Sequence, residues 1–229
     1  MNNPTKLKID NLITVQPLTE GQKIVFESYD SGNNLCLSGS PGTGKTFLAL
    51  YIALEEVLTK GNEYDKVIII RSIVPTRDIG FLPGEIEDKE QAYSEPYQEI
   101  CKELFNDDPL AWKKLSNDNK ILFRSTSFLR GLTFKNAIIV IDEMQNCNYH
   151  ELCTIATRVG DNCKLITCGD YYQSDLSKAG DKNGVLEFIS ILENMNRFEH
   201  VEFTWSDCVR SGFVRDFLQT KEMMERAKL

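Results

Sequence analysis

The chain has 229 residues, 41% of them apolar and 26% charged, enough for one substantial core and giving no reason to invoke disorder. A net charge of −8 and a pI near 5 speak against a surface broadly covered in basic groups for nucleic acid, while leaving room for a local basic channel, above all one built by several subunits. No apolar run approaches the ~20 residues that cross a bilayer, the first residues hold no signal-like apolar stretch, and seven cysteines without any pair at two-residue spacing argue against zinc, so a cytoplasmic protein with reduced, buried cysteines is expected.

In chain order, a short apolar strand over 34–38 runs into a glycine-rich turn. Good helix formers follow over 46–60 and stop at Gly61, a residue suited to a left-handed cap. Residues 66–71, Lys-Val-Ile-Ile-Ile-Arg, form a continuous apolar run of the kind buried on both faces of a sheet. The stretch 75–84 breaks the pattern with two prolines and two glycines around Arg77 and Asp78, and reads as a distinctive loop. A charged helical stretch comes next, expected to break at Pro96 and Pro109, then strands over 120–124, 137–141, 164–168 and 201–203. A last helix is expected from about Gly212 onwards. Strands alternating with helical segments predict an α/β fold, a mostly parallel sheet with helices on both faces. Without repeats, low complexity or a linker, residues 1–229 read as one domain, the first ~15 forming an extension.

Gly39-Ser40-Pro41-Gly42-Thr43-Gly44-Lys45-Thr46 fits the spacing glycine, four residues, glycine, lysine, serine or threonine. Such a loop wraps phosphate oxygens in backbone N–H groups, and the following helix adds its positive end. Lys45 is then expected to neutralise the β- and γ-phosphates of ATP and Thr46 to ligate Mg²⁺, with Phe47 completing the nucleotide-binding stretch. The bland alternative is a surface glycine turn before a lysine. A predicted strand ahead of the loop and a predicted helix behind it favour the phosphate reading.

A phosphate loop needs a second acidic group for the metal and a group to orient water. Asp142 follows five apolar residues, so a buried strand delivers it to the carboxyl edge of the sheet, where ligands bind in such folds. Asp142 is assigned to Mg²⁺ and Glu143 to the water as general base. Two solvated acids ending a strand are common, and only the upstream loop lifts the pair above that reading. Gln145 points to a further polar contact. Gln173, in Gly169-Asp170-Tyr171-Tyr172-Gln173, is a candidate to sense the γ-phosphate or place water, although alone the cluster reads as a turn.

Together these motifs fall in a familiar order. From about residue 18 to about residue 210 the chain resembles the PhoH-like family of P-loop ATPases, a single RecA-like domain related to superfamily 1 helicases. The resemblance rests on Gly80-Phe81-Leu82-Pro83-Gly84, Arg130-Gly131 with Thr133-Phe134, Asp142-Glu143 with Gln145-Asn146, Thr157-Arg158-Val159-Gly160, and Gly169-Asp170 with Gln173 and Asp175-Leu176. It implies that Gln22 recognises adenine, against the plain reading of a solvated helix residue. It also implies that Arg210 is an arginine finger acting in cis or in trans, against a surface ion pair. A finger offered to a neighbour favours a homo-oligomeric ring, often a hexamer in this family. The loop around Phe81 implies contact with RNA or single-stranded nucleic acid, with Arg71, Arg77, Lys89, Arg130 and Lys135 on phosphates and Phe81 and Tyr93 on bases.

The chain departs from the family pattern at Ser72, where proline is usual, at Leu132, where arginine is usual, and at Met144, where alanine is usual. None touches the nucleotide chemistry, and all three put the loop's substrate in doubt. The expectation is an ATPase coupled to RNA or single-stranded nucleic acid. Its rivals are an ATP-driven protein remodeller, which the acidic charge suits, and a slow nucleotide-dependent switch.

Overall fold

A computed structural model describes residues 6–73, 86–129, 131–170 and 179–226. Six strands form one sheet: β1 (Asn34–Gly39), β2 (Lys66–Arg71), β3 (Ile121–Ser125), β4 (Ala137–Asp142), β5 (Cys163–Gly169) and β6 (Phe198–Phe203). Their order is β3-β2-β4-β5-β1-β6, and every neighbouring pair is parallel. Among the described residues seven α-helices accompany them: α1 (Glu20–Asp30), α2 (Lys45–Leu58), α3 (Ile86–Leu104), α4 (Ala111–Asn117), α5 (Tyr149–Ala156), α6 (Ala179–Glu193) and α7 (Gly212–Arg226).

Side-chain alternation divides the strands between two cores. Val67 and Ile69 of β2, Ile138 and Val140 of β4, and Ile166 and Cys168 of β5 face α1, α2, α3 and α4. Ile68 and Ile70, Ile139 and Ile141, and Leu165 face α5 and α6. Burial on both sides is why these strands read as unbroken apolar runs rather than alternating ones. Helices therefore cover both faces, as the sequence predicts, and the fold is RecA-like α/β.

Caps fix the shorter helices. The Thr19 hydroxyl accepts from Gln22 N at the start of α1, and Asn148 and Glu151 form a reciprocal capping box at the start of α5.

The expected break at Pro96 does not occur, because α3 runs through it. A proline inside a helix costs about 3 kcal/mol. The turns that follow bury Tyr97, Cys101 and Leu104 completely, and a large apolar side chain contributes roughly 1.5–3 kcal/mol when fully buried. Packing outweighs the local penalty.

Because all six strands point the same way, Gly39, Arg71, Asp142 and Gly169 end on one edge of the sheet. Side chains at Arg71, Asp142 and Asp170 have the parity of the α2–α3 face, so they leave the sheet on the side where α2 begins.

Candidate nucleotide site

The glycine loop spans the end of β1 and the start of α2. At Gly39 the backbone has φ +106°, and an added Cβ would sit 2.0 Å from the Phe203 carbonyl oxygen. That close approach lets the Ser40 N–H donate to Phe203 O at 2.9 Å, tying the loop to β6. The Thr43 hydroxyl donates to Ser40 O at 3.0 Å. The Lys45 ammonium donates to Gly39 O at 2.8 Å and to Ser40 O at 2.7 Å, and burial lowers its pKa.

Thr46 and Asp142 meet beneath the loop: the Thr46 hydroxyl donates to Asp142 Oδ1 at 2.8 Å. From the other side, the hydroxyl of buried Tyr97 donates to Asp142 Oδ2 at 2.9 Å. Asp142 is only 5% exposed. Burial raises its pKa and the neighbouring Glu143 charge adds to the rise, while Thr46, Tyr97 and Arg71 pull the other way.

Glu143 adopts a left-handed backbone, φ 51°, directly after β4, an unfavourable conformation of the kind that concentrates at functional sites. Its carboxylate accepts from the Gln145 side-chain amide. The Gln145 carbonyl in turn accepts from Asp170 N at 3.0 Å. Gly169 makes room for that bridge, since a Cβ there would lie 2.4 Å from Gln145 Oε1. The polar contact expected of Gln145 is thus a link between the ends of β4 and β5.

These groups line a cavity of ≈ 740 Å³, within the size range of ligand pockets. Lys45, Thr46, Asp142 and Glu143 stand in it, and Leu18, Phe47 and Ile100 supply apolar walls. Ser40 and Thr43 belong to the loop beside it, and Pro41, Gly42 and Gly44 line it directly. Gln22 is buried at its rim with its amide engaged on both sides: its carbonyl accepts from Leu18 N at 2.8 Å, and its nitrogen donates to Thr43 O at 3.1 Å.

Arg210 also lines the cavity. Its stem lies over Gly42, and the preceding Val209 N donates to Gly42 O at 3.1 Å. Arg210 therefore stands at its own chain's loop.

Two residues enter the site in ways the sequence does not show. Tyr97 lies in a charged helical stretch, and nothing in its spacing announces a partner for Asp142. Arg71, expected as a nucleic-acid contact, lines the same cavity as Lys45. Lys135 stands elsewhere, mostly exposed. It pairs with Asp161 at 3.9 Å, just ahead of β4, a six-residue strand and so about 20 Å from Asp142. Gln173, Arg77, Phe81, Arg130 and the whole 75–84 loop lie outside the described residues, as does the side chain of Lys89.

The residues fit the groups expected of them. A hydroxyl and a carboxylate 2.8 Å apart are the hard oxygen donors Mg²⁺ takes, and a glycine loop with a half-buried ammonium at a helix N-terminus suits the oxygens of a polyphosphate.

Fold and site together define a P-loop protein of the nucleotide-binding α/β class. The PhoH-like protein family pattern matches residues 14–222, and the chain belongs to that family. It is 31% identical over 206 residues to a PhoH-like protein of Mycobacterium leprae, covering 90% of this chain and 58% of that protein. It is 28% identical over 194 residues to Protein PhoH of Escherichia coli, covering 84% of this chain and 54% of that protein. The chain thus spans a little over half the length of these relatives. In fold it is similar to the large terminase of a thermophilic bacteriophage, solved in complex with ADP, with TM-score 0.54 and 13% identity over 89% of this chain and 50% of that one. No described helix is long and apolar enough to cross a membrane.

Proposed function

We propose that this chain binds ATP with Mg²⁺ in the 740 Å³ cavity and hydrolyses it, and that the turnover is coupled to RNA or single-stranded nucleic acid. The observation that carries the reading is the Thr46–Asp142 pair at 2.8 Å beneath a glycine loop whose half-buried lysine lines the same cavity.

In this reading Lys45 and the loop N–H groups hold the phosphates, and Thr46 and Asp142 hold the metal ion, which when bound screens phosphate charge. Glu143 orients the attacking water and takes its proton, and Gln145 keeps the Glu143 carboxylate fixed against β5. Arg210 adds positive charge at Gly42 from the same chain. Gln173 keeps its proposed part in placing water, and the 75–84 loop its part as the nucleic-acid contact, on the family resemblance alone.

The protein-remodelling reading stays as a second one for a specific reason. Of the five basic residues offered to nucleic acid, Arg71 stands in the nucleotide cavity and Lys135 is paired at the opposite end of β4, in a chain of net charge −8.

The deciding experiment is steady-state ATP hydrolysis with and without single-stranded RNA, for the wild type and Lys45→Ala. Activity that needs Lys45 and rises with RNA is expected. Activity that needs Lys45 yet ignores RNA and single-stranded DNA moves the reading to a protein partner. ATP binding without turnover leaves a nucleotide-dependent switch.

A further inference from the structure

Arg71 has a setting unlike that of a groove residue waiting for nucleic acid. It is the last residue of β2 and lies in register with Asp142. Paired residues of parallel strands project to the same face, so its side chain leaves the sheet beside the carboxylate, one strand spacing of about 4.8 Å further from β1. There it lines the nucleotide cavity, half-buried.

Two aromatic residues of α3 hold it. The guanidinium carbon lies 5.9 Å from the centre of the Tyr93 ring, a stacking distance for a cation. The Tyr97 hydroxyl that donates to Asp142 also meets the guanidinium. Burial disfavours the charge, but Tyr97, Asp142 and Glu143 more than offset this and keep the group cationic.

The cavity's cations are therefore set out along its length. Lys45 sits at the glycine loop after β1, Arg210 over Gly42, and Arg71 at the far flank beyond Asp142. A polyphosphate that starts on the loop and runs towards Asp142 meets Lys45 first and presents its terminal group towards Arg71. A planar guanidinium is suited to that group because it can engage two phosphate oxygens at once.

We propose that Arg71 senses the terminal phosphate of a bound nucleoside triphosphate from within the same chain, so that it discriminates triphosphate from diphosphate, with Tyr93 and Tyr97 as its positioning residues. This rests on the nucleotide reading of the cavity and adds to it a specificity-determining residue. The contact it describes needs no neighbouring copy.

Equilibrium binding of a non-hydrolysable ATP analogue and of ADP, each with Mg²⁺, tests it on the wild type, Arg71→Ala and Arg71→Lys. Circular dichroism checks that each variant is folded. Hydrogen bonds to charged groups imply that Arg71→Ala loses roughly 10- to 100-fold in affinity for the triphosphate analogue. ADP affinity should stay within about 3-fold, and Arg71→Lys should recover only part of the loss, because an ammonium lacks the fork. A merely structural arginine would weaken both nucleotides equally, and that result overturns the proposal. So does an unchanged Arg71→Ala, including one whose only loss is in RNA binding. If the wild type binds neither nucleotide, the reading of the cavity itself fails and this inference falls with it. If the wild type binds both but Arg71→Ala shows no selective loss, the inference alone fails.

Discussion

The two oxygens of Asp142 are taken by two different hydroxyls, Thr46 on Oδ1 and Tyr97 on Oδ2. A carboxylate this deeply buried depends on its donors. Tyr97→Phe should therefore lower the stability of the nucleotide-free protein by about 1–3 kcal/mol, read as a lower urea midpoint, and an unchanged midpoint would show that the bond contributes nothing.

Gln22 leads to a different expectation. Reading adenine takes both a donor and an acceptor from one amide; Leu18 N takes one lone pair of its carbonyl and Thr43 O one of its N–H groups. One N–H and one carbonyl lone pair are left, the pair that adenine's N7 and amino group need and that guanine, with two acceptors on the same edge, does not match. ATP should therefore bind about 10-fold or more tightly than GTP, and Gln22→Ala should narrow the difference. Equal affinities in the wild type would count against adenine reading.

At this scale the sequence was legible wherever spacing carries the chemistry, as in 39–46 and at Asp142-Glu143. It was silent on Tyr97, whose role comes from a helix crossing over the end of another strand.

Among elements, the strands were the most readable, because a strand buried on both faces must be apolar throughout. β4 was expected over 137–141 and spans Ala137–Asp142. β6 was the shortest reading, 201–203 against Phe198–Phe203, since it lies at the sheet edge and carries Glu199, His200 and Glu202 among its apolar residues. α3 was misjudged at Pro96 because a local penalty was weighed without the buried Tyr97, Cys101 and Leu104 that outweigh it. The joint between β1 and β6 gives this scale its prediction. Gly39→Ala places a Cβ 2.0 Å from a backbone oxygen that cannot move aside without breaking the Ser40–Phe203 bond, at a φ that alanine avoids. It should yield little soluble, folded protein, measured by expression and circular dichroism. A normally folded variant would mean that the loop is not fixed to β6.

For the molecule as a whole, the sequence predicted seven reduced cysteines packed as small hydrophobes, and none of the seven forms a disulfide. Five are buried, while Cys153 and Cys163 are partly exposed. Burial pushes the Cys36 and Cys101 thiols up to about 12. The folded chain therefore keeps protons that the unfolded chain releases as pH rises past roughly 8.5. Their contribution is fully present below that pH and declines above it, by about 1.4 kcal/mol per pH unit for each thiol until about pH 12. Urea midpoints at pH 8 and pH 10 should differ in that sense, and Cys36→Ala with Cys101→Ala should reduce the difference. Equal midpoints in the wild type would contradict it.

The order of the sheet also sets when the glycine loop can exist. β1 is an early strand, yet both of its neighbours, β5 and β6, come from the last part of the chain. Until they arrive, Gly39 has no Phe203 carbonyl against it and the loop has no frame. Pairings between segments so far apart in sequence form slowly. A refolding chain should thus gain helix and apolar burial first and the ability to hold a nucleotide last, so that added nucleotide slows unfolding without hastening the early steps of folding.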